Sequence, residues 1–241
     1  MFLGAIKACL AEDGVWINQL AYLPATLATN NFGDIVHEHL TYWTISTFAA
    51  LLKQHGLMLY NWTHNDVNGG SVRFIVKHDT GADDLLEAWA DPVGLLALRK
   101  FAARIKLQRT EVRDFLHRAK RDGKLVVGYG ASTKGNTYLQ YWGVEADLMA
   151  AIADRNPDKH GKFTPTGQIV ISEDEMRNEQ PDYLLVLPFH FIDAFVEREE
   201  DLLAHGTQMA VPFPTLHFIG GADASDIQAP AATAVGADQA A

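Results

Sequence analysis

The chain has 241 residues, 48% hydrophobic and 21% charged, a composition that supports a globular protein with a sizeable core. Its net charge of −10 comes without any clustered basic run, which argues against a nucleic-acid partner. A single cysteine, Cys9, excludes a disulfide framework or a thiolate zinc site made from this chain alone. No apolar run approaches the ~20 residues of a membrane helix. The opening MFLGAIKACLAEDG lacks the apolar length and cleavage site of a signal peptide, so a cytoplasmic location is the default expectation.

In chain order, Gly14 precedes the apolar run VWINQLAYL, bounded by Pro24, which suits a buried strand. Thr44 to His55 carries apolar residues at helical spacing and stops at Gly56. LMLYNW (57–62) reads as a strand, HNDVNGG as a polar turn, and SVRFIVKH (71–78) as a second strand paired antiparallel to the first. The stretch 83–121 is helical by pattern, with Asp91 as N-cap and Pro92 at the first helical position. Its basic residues, Arg99 to Lys124, interleave with acidic and apolar ones and read as a solvated face. From Lys124 onward strands alternate with helices: a strand ending at Val126-Val127, another ending near Asp154, a short one at QIVI, one in PDYLLVLPFHF, and a close at MAVPFP near Pro214. That alternation predicts βαβ units and a parallel sheet. The residues from about Gly221 on are small and Ala-rich without periodicity, as in a disordered tail.

Three constellations are candidates for chemistry. Gly128, Gly130 and Gly135 punctuate GYGASTKG between a strand and a helix, where glycines admit a tight turn and let backbone N–H groups approach a phosphate. Ala131 and Asn136 belong to the same turn, Ser132, Thr133 and Lys134 offer further donors, and Asp154 stands about twenty residues on, where a ribose-binding acid is expected. The spacing matches neither G-x-G-x-x-G nor a Walker motif, so glycines serving only turn and packing are the alternative; a nucleotide or nucleotide-sugar diphosphate is the favoured ligand. In HEHL, extended backbone would point His37 and His39 to one face and Glu38 to the other. Three readings stay open there: a general base, a purely structural role, and a metal site short of a third ligand. In NGGSVRF, Gly69 and Gly70 turn a hairpin, or else they and Ser71 approach a ligand with Arg73 available for a phosphate.

Taken together, FGDIVHEHLTYW (32–43), NGGSVRF (68–74) and the run GYGASTKGNTYLQYWG, ADRNPDKHGKFTPTG, PDYLLVLPFHF and VPFP resemble one family, the SAM-dependent sugar C-methyltransferases, in order and spacing from about Gly14 to Pro214. The resemblance implies an α/β chain in which residues 1–82 end a class I methyltransferase sheet, 83–121 form a long linking helix, 122–220 form a Rossmann-like parallel-sheet domain, and 221–241 form the tail. It implies His39 as the base that removes a proton beside a carbonyl, within an HEH segment lying in the active-site cleft, with Glu38 binding or orienting the sugar and Tyr42 close by. It implies S-adenosylmethionine as cofactor, no metal held by this chain, and a nucleoside-diphosphate sugar held partly by the Rossmann-like domain.

The sequence departs from the family at two points: Val36 stands where a Tyr often precedes HEH, and Asn68 where a His often precedes GGS. Family enzymes also begin with a cysteine-rich zinc-binding domain and a Gly-rich SAM loop. The expectation here is a chain without either: part of an enzyme that methylates a nucleotide-linked ketosugar at carbon, incomplete and inactive by itself; the alternative is a non-catalytic nucleotide-sugar binding module or a subunit that completes a separately encoded N-terminal half.

Overall fold

The structure, a computed structural model, describes residues 2–81 and 91–221. The expected tail beyond Gly221, and the start of the linking helix before Asp91, lie outside the described residues. Helix α1 (Phe2–Cys9), strand β1 (Trp16–Ala21), helix α2 (Leu23–Thr29), helix α3 (Ile45–Gln54) and strands β2 (Leu57–Asn65) and β3 (Ser71–His78) form the first unit. Its sheet has the order β1-β3-β2 and is antiparallel throughout, with the expected β2–β3 hairpin paired from Leu57↔His78 to Asn65↔Ser71 across a bulge at Tyr60.

Period-two burial explains β3: Val72, Phe74 and Val76 turn inward. They meet Ile45, Phe48, Ala49 and Leu52, spaced along one face of α3, together with Leu3 of α1. Each buried Val, Leu, Ile or Phe among them contributes roughly 1.5–3 kcal/mol. The helix starts where expected because Thr44 and Thr47 form a capping box, and Gly56, in the left-handed region at φ +65°, lets the chain leave it.

The long helix α4 (Leu95–Arg121) follows Gly94, so Asp91 and Pro92 do not begin it. Asp91 instead caps α3 from afar: its carboxylate accepts from Ile45 N at 2.6 Å, from Ser46 N at 3.0 Å and from the Ser46 hydroxyl. Any helix N-terminus offers free N–H groups, and the one nearest in space took this carboxylate rather than the one next in sequence. At about 40 Å long, α4 is fastened to both units. Arg104 donates to Asn30 Oδ1 at 2.8 Å and Leu27 O at 2.6 Å, and Arg113 donates to Trp142 O and Gly143 O at 3.0 and 2.6 Å.

The second unit comprises β4 (Val126–Tyr129), α5 (Thr133–Trp142), β5 (Ala151–Ala153), β6 (Ile169–Ile171), α6 (Glu173–Glu179), β7 (Tyr183–Val186), α7 (Ile192–Arg198), α8 (Glu200–Ala204), β8 (Gln208–Val211) and β9 (His217–Ile219). The sheet order is β6-β5-β4-β7-β8-β9, parallel except for β9. The chain leaves β4 in one direction to β5 and later returns beside it as β7, which places the topological switch point between β4 and β7. Strand β4 runs two residues past Val127, so Gly128 lies within the strand. A Cβ there would stand 2.9 Å from Ile152 Cγ1, and glycine is what lets β4 and β5 lie together. The pattern also stops short of β9, whose three residues are too few to display a period.

Phe32 joins the two units. Its ring lies 4.9 Å from Tyr138, 5.0 Å from Tyr141, 6.0 Å from Trp142 and 6.2 Å from Phe213, centroid to centroid, so one hydrophobic core contains Leu27 and Phe32 together with the inner residues of α4 and α5. Among the described residues no helix is long and apolar enough to cross a membrane.

Candidate functional site

Two clefts carry part of the set of residues singled out by sequence. The first lies at the carboxyl end of β1. Asn30 closes α2 in the left-handed conformation, a tight 3-10 turn covers Phe32–Asp34, and the chain turns again as His39 N donates to Val36 O at 3.0 Å. The HEH segment is therefore a turn and not extended backbone, so the expected alternation of faces does not hold. Glycine at position 33 is required by Tyr138, whose ring edge would sit 2.6 Å from a Cβ.

In this turn His37 projects into solvent and meets Glu38 at 3.3 Å, with side-chain exposures of 90% and 62%, a pair too exposed to hold much structure. Glu38 and His39 line a cleft of about 370 Å³ with Leu20, Ala21, Leu23 and Tyr42. His39 Nδ1 lies 2.8 Å from the main-chain oxygen of Asp34. A carbonyl only accepts, so Nδ1 carries the proton, and in the neutral ring Nε2 holds the lone pair. The Tyr42 hydroxyl also donates to Asp34 O, at 3.4 Å; burial, and then the negative charge of Asp34, push its pKa up.

Behind the turn stands a polar cluster that sequence reasoning missed. The Asp34 carboxylate, 7% exposed, takes Lys134 Nζ at 2.7 Å on one oxygen and Asn31 Nδ2 at 2.9 Å on the other. Lys134 and Asn31 also donate to Asn68 O at 2.7 and 3.2 Å, and the Tyr138 hydroxyl donates to Asn31 Oδ1 at 2.6 Å. Lys134 thus reaches from the glycine loop of the second unit to the first unit. His190 lies in the fields of Lys134 and Asp34. Burial first, and then the Lys134 cation, lower its pKa against the opposing pull of Asp34. The signal for this cluster was present only as the polar pair Asn31 and Asp34 in NNFGD, about a hundred residues from its cation by chain order.

Asn68 adopts φ +58°, and Gly69 and Gly70 have φ +89° and +123°. A Cβ on Gly70 would stand 2.4 Å from Ala25 Cβ, and one on Gly69 3.1 Å from Phe189 Cζ. The glycines of this loop let it pass between the two units. Ser71 is buried and its hydroxyl donates to Val67 O at 2.9 Å, whereas Arg73 is exposed on the outer face of the sheet.

The second cleft, about 490 Å³, opens at the switch point between β4 and β7 and is lined by Gly130, Ser132, Asp154, Arg155, Lys159 and Arg198, among others. Gly130 has φ +86°, and its Cβ would meet Pro188 Cγ at 2.5 Å. Gly135 packs against Leu187 at 3.0 Å by the same construction. Ser132 caps α5, its Oγ accepting from Gly135 N at 2.9 Å. Thr133 stands exposed in the first turn of α5, beside Ala131 and Asn136, which are half-buried. Asp154 pairs with Lys159 at 2.9 Å, and Lys159 also donates to Ala131 O at 2.8 Å. Beneath the cleft, Tyr129 donates to the buried Glu199, which Arg177 holds through two nitrogens at 2.9 and 2.7 Å.

Among the described residues no group of three His, Cys, Asp or Glu side chains is placed to hold a metal ion. S-adenosylmethionine, which the resemblance implies, needs a cradle for its nucleoside. The strand-to-helix turn at β1 is Tyr22-Leu23-Pro24, with no glycine and no N-cap side-chain bond, so that turn does not supply it.

The mostly parallel sheet with its flanking helices, joined to a β1-β3-β2 sheet end, defines an α/β protein of the Rossmann-like methyltransferase class. The chain belongs to the C-methyltransferase family: the profile described as C-methyltransferase C-terminal domain matches residues 66–214. It is 30% identical over 222 residues to C-methyltransferase NovU of Streptomyces niveus, an alignment covering 88% of this chain and 53% of that relative. The chain spans about half the length of the curated relative it matches.

Proposed function

We propose that this chain is the substrate-holding and proton-abstracting part of an S-adenosylmethionine-dependent C-methyltransferase acting on a ketosugar linked to a nucleoside diphosphate. The observation that carries the reading is His39, whose Nδ1–H is committed to the Asp34 carbonyl while the ring lines an open cleft beside Glu38. In the neutral ring Nε2 accepts the proton from the carbon next to the ketone, Glu38 accepts hydrogen bonds from sugar hydroxyls, and the electrons of the broken C–H bond pass to the enolate oxygen. The methyl donor supplies the electrophile that the resulting carbanion requires. The diphosphate is assigned to the switch-point cleft, where Gly130 and Ser132 at the start of α5 line the wall together with Arg155, Lys159 and Arg198.

In an assembled enzyme, His39→Ala should reduce kcat by about 10²–10⁴-fold with little change in KM; turnover that survives would remove the base assignment. Calorimetry on this chain should show heat with a nucleoside diphosphate and none with S-adenosylmethionine. Tight binding of the latter would show that these residues hold the methyl donor unaided.

A second reading is a subunit that completes a separately encoded N-terminal half, or a binding module without catalysis. It is favoured by β1, which among the described residues is paired on one edge only. Val15 and Ile17 stand exposed beside it, and both carboxamide atoms of Asn18 are buried without a partner.

A further inference from the structure

The polar cluster behind His39 ties its orientation to the other unit of the molecule. We infer that Lys134 and Asp34 are positioning residues: Lys134, carried by the Rossmann-like domain, clamps Asp34 so that its carbonyl holds His39 in the Nδ1–H tautomer with Nε2 facing the cleft. The inference rests on the reading of His39 as the base.

A neutral imidazole in water favours the proton on Nε2, the opposite of what a base acting through Nε2 needs. A fixed acceptor at Nδ1 reverses that preference, but an acceptor on a mobile turn would not stay in place. The Asp34 carbonyl gathers His39 Nδ1 at 2.8 Å, Val36 N at 3.1 Å and the Tyr42 hydroxyl at 3.4 Å. Its own residue is held by the opposite end: one carboxylate oxygen is on Lys134 at 2.7 Å and the other on Asn31 at 2.9 Å. Asn31 is fastened in turn by Tyr138. The Lys134–Asp34 pair is mostly buried, at 19% and 7% side-chain exposure, so water screens it far less than the surface pair of His37 and Glu38. Lys134 is also tied to Asn68 O at 2.7 Å, which fixes the ammonium on the first unit rather than over the glycine loop from which it springs. Docking of the two units thereby sets which nitrogen of His39 is basic.

The experiment is long-range ¹⁵N–¹H correlation of the histidine rings on the full chain at a pH where His39 is neutral, its signals assigned by their loss in His39→Gln. Wild type should show the Nδ1–H pattern for His39. Lys134→Met, which keeps the stem and removes the charge, should shift it to a mixture dominated by Nε2–H, and Lys134→Arg should restore it. Circular dichroism reports whether each variant is folded. Should Lys134→Met not fold, Asp34→Asn carries the same test, since it keeps the carbonyl and loses the ion pair. An Nε2–H pattern in wild type, or an unchanged Nδ1–H pattern in a folded variant lacking the pair, would overturn the inference. The readout needs neither methyl donor nor sugar. A missing methyltransferase activity with the expected tautomers counts against the function alone, and wrong tautomers count against the clamp.

Discussion

At the scale of single residues, the same sequence signal acquired different physical meanings. Gly128, Gly130 and Gly135 look alike as a loop that admits a phosphate, yet each is required by a neighbour already in the protein: Ile152, Pro188 and Leu187. Gly130→Val should therefore destabilise the fold by about 1–3 kcal/mol, through its positive φ and the contact with Pro188. Urea denaturation measures this; an unchanged midpoint would show that the loop relaxes freely. Loss of nucleotide binding in that variant would thus be ambiguous. Arg155, exposed on the cleft wall, is the cleaner probe, and Arg155→Met should weaken a nucleoside diphosphate about tenfold, the worth of one charge-assisted hydrogen bond near 1.5 kcal/mol. HEH was visible as a cluster of ionisable groups, but its division into an exposed His37 and an anchored His39 was not. That division depends on the turn at Val36–His39 and on the Asp34 carbonyl that meets His39 there.

At the scale of elements, α3 and β3 were readable because their buried positions follow clean periods, and β2, which alternates only over Leu57–Leu59 before a bulge, because the ends around it carry Gly56 and the Asn/Gly turn. Asp91-Pro92 was misread for a definite reason. A carboxylate before a helical pattern is a cap only if its own helix lies nearest, and α3 lay nearer. Asp91→Ala should cost about 1–2 kcal/mol at neutral pH, as loss of a helix cap does. Burial acts to raise the Asp91 pKa, but hydrogen bonds from Ser46, Ile45 and Tyr22 outweigh it and hold the group below its ordinary value of 3.8. The sign follows: the contribution is complete above pH 3.8 and is lost as pH falls through the lowered folded value. Denaturation of wild type and Asp91→Ala should converge on acidification; curves that stay parallel would show that the carboxylate charge is not what stabilises α3.

At the scale of the whole molecule, the two units share a core through Phe32 and a polar cluster through Asp34 and Lys134. Phe32 is 3% exposed among four aromatic rings. Phe32→Ala should therefore lose about 3–5 kcal/mol, and a single cooperative transition should be seen if the units unfold together. Two separate transitions in wild type would show that the shared core is too weak to couple them.

The sequence by itself determined the family, the parallel-sheet domain and the hairpin, because local periods, turn residues and ordered motifs are properties of neighbouring residues. Only the tertiary structure decided which helix Asp91 caps, why the glycines of the loop are glycine, and that Lys134 reaches Asp34 instead of standing over the loop. These are contacts between residues far apart along the chain, and the chain records the partners of such contacts without recording that they meet.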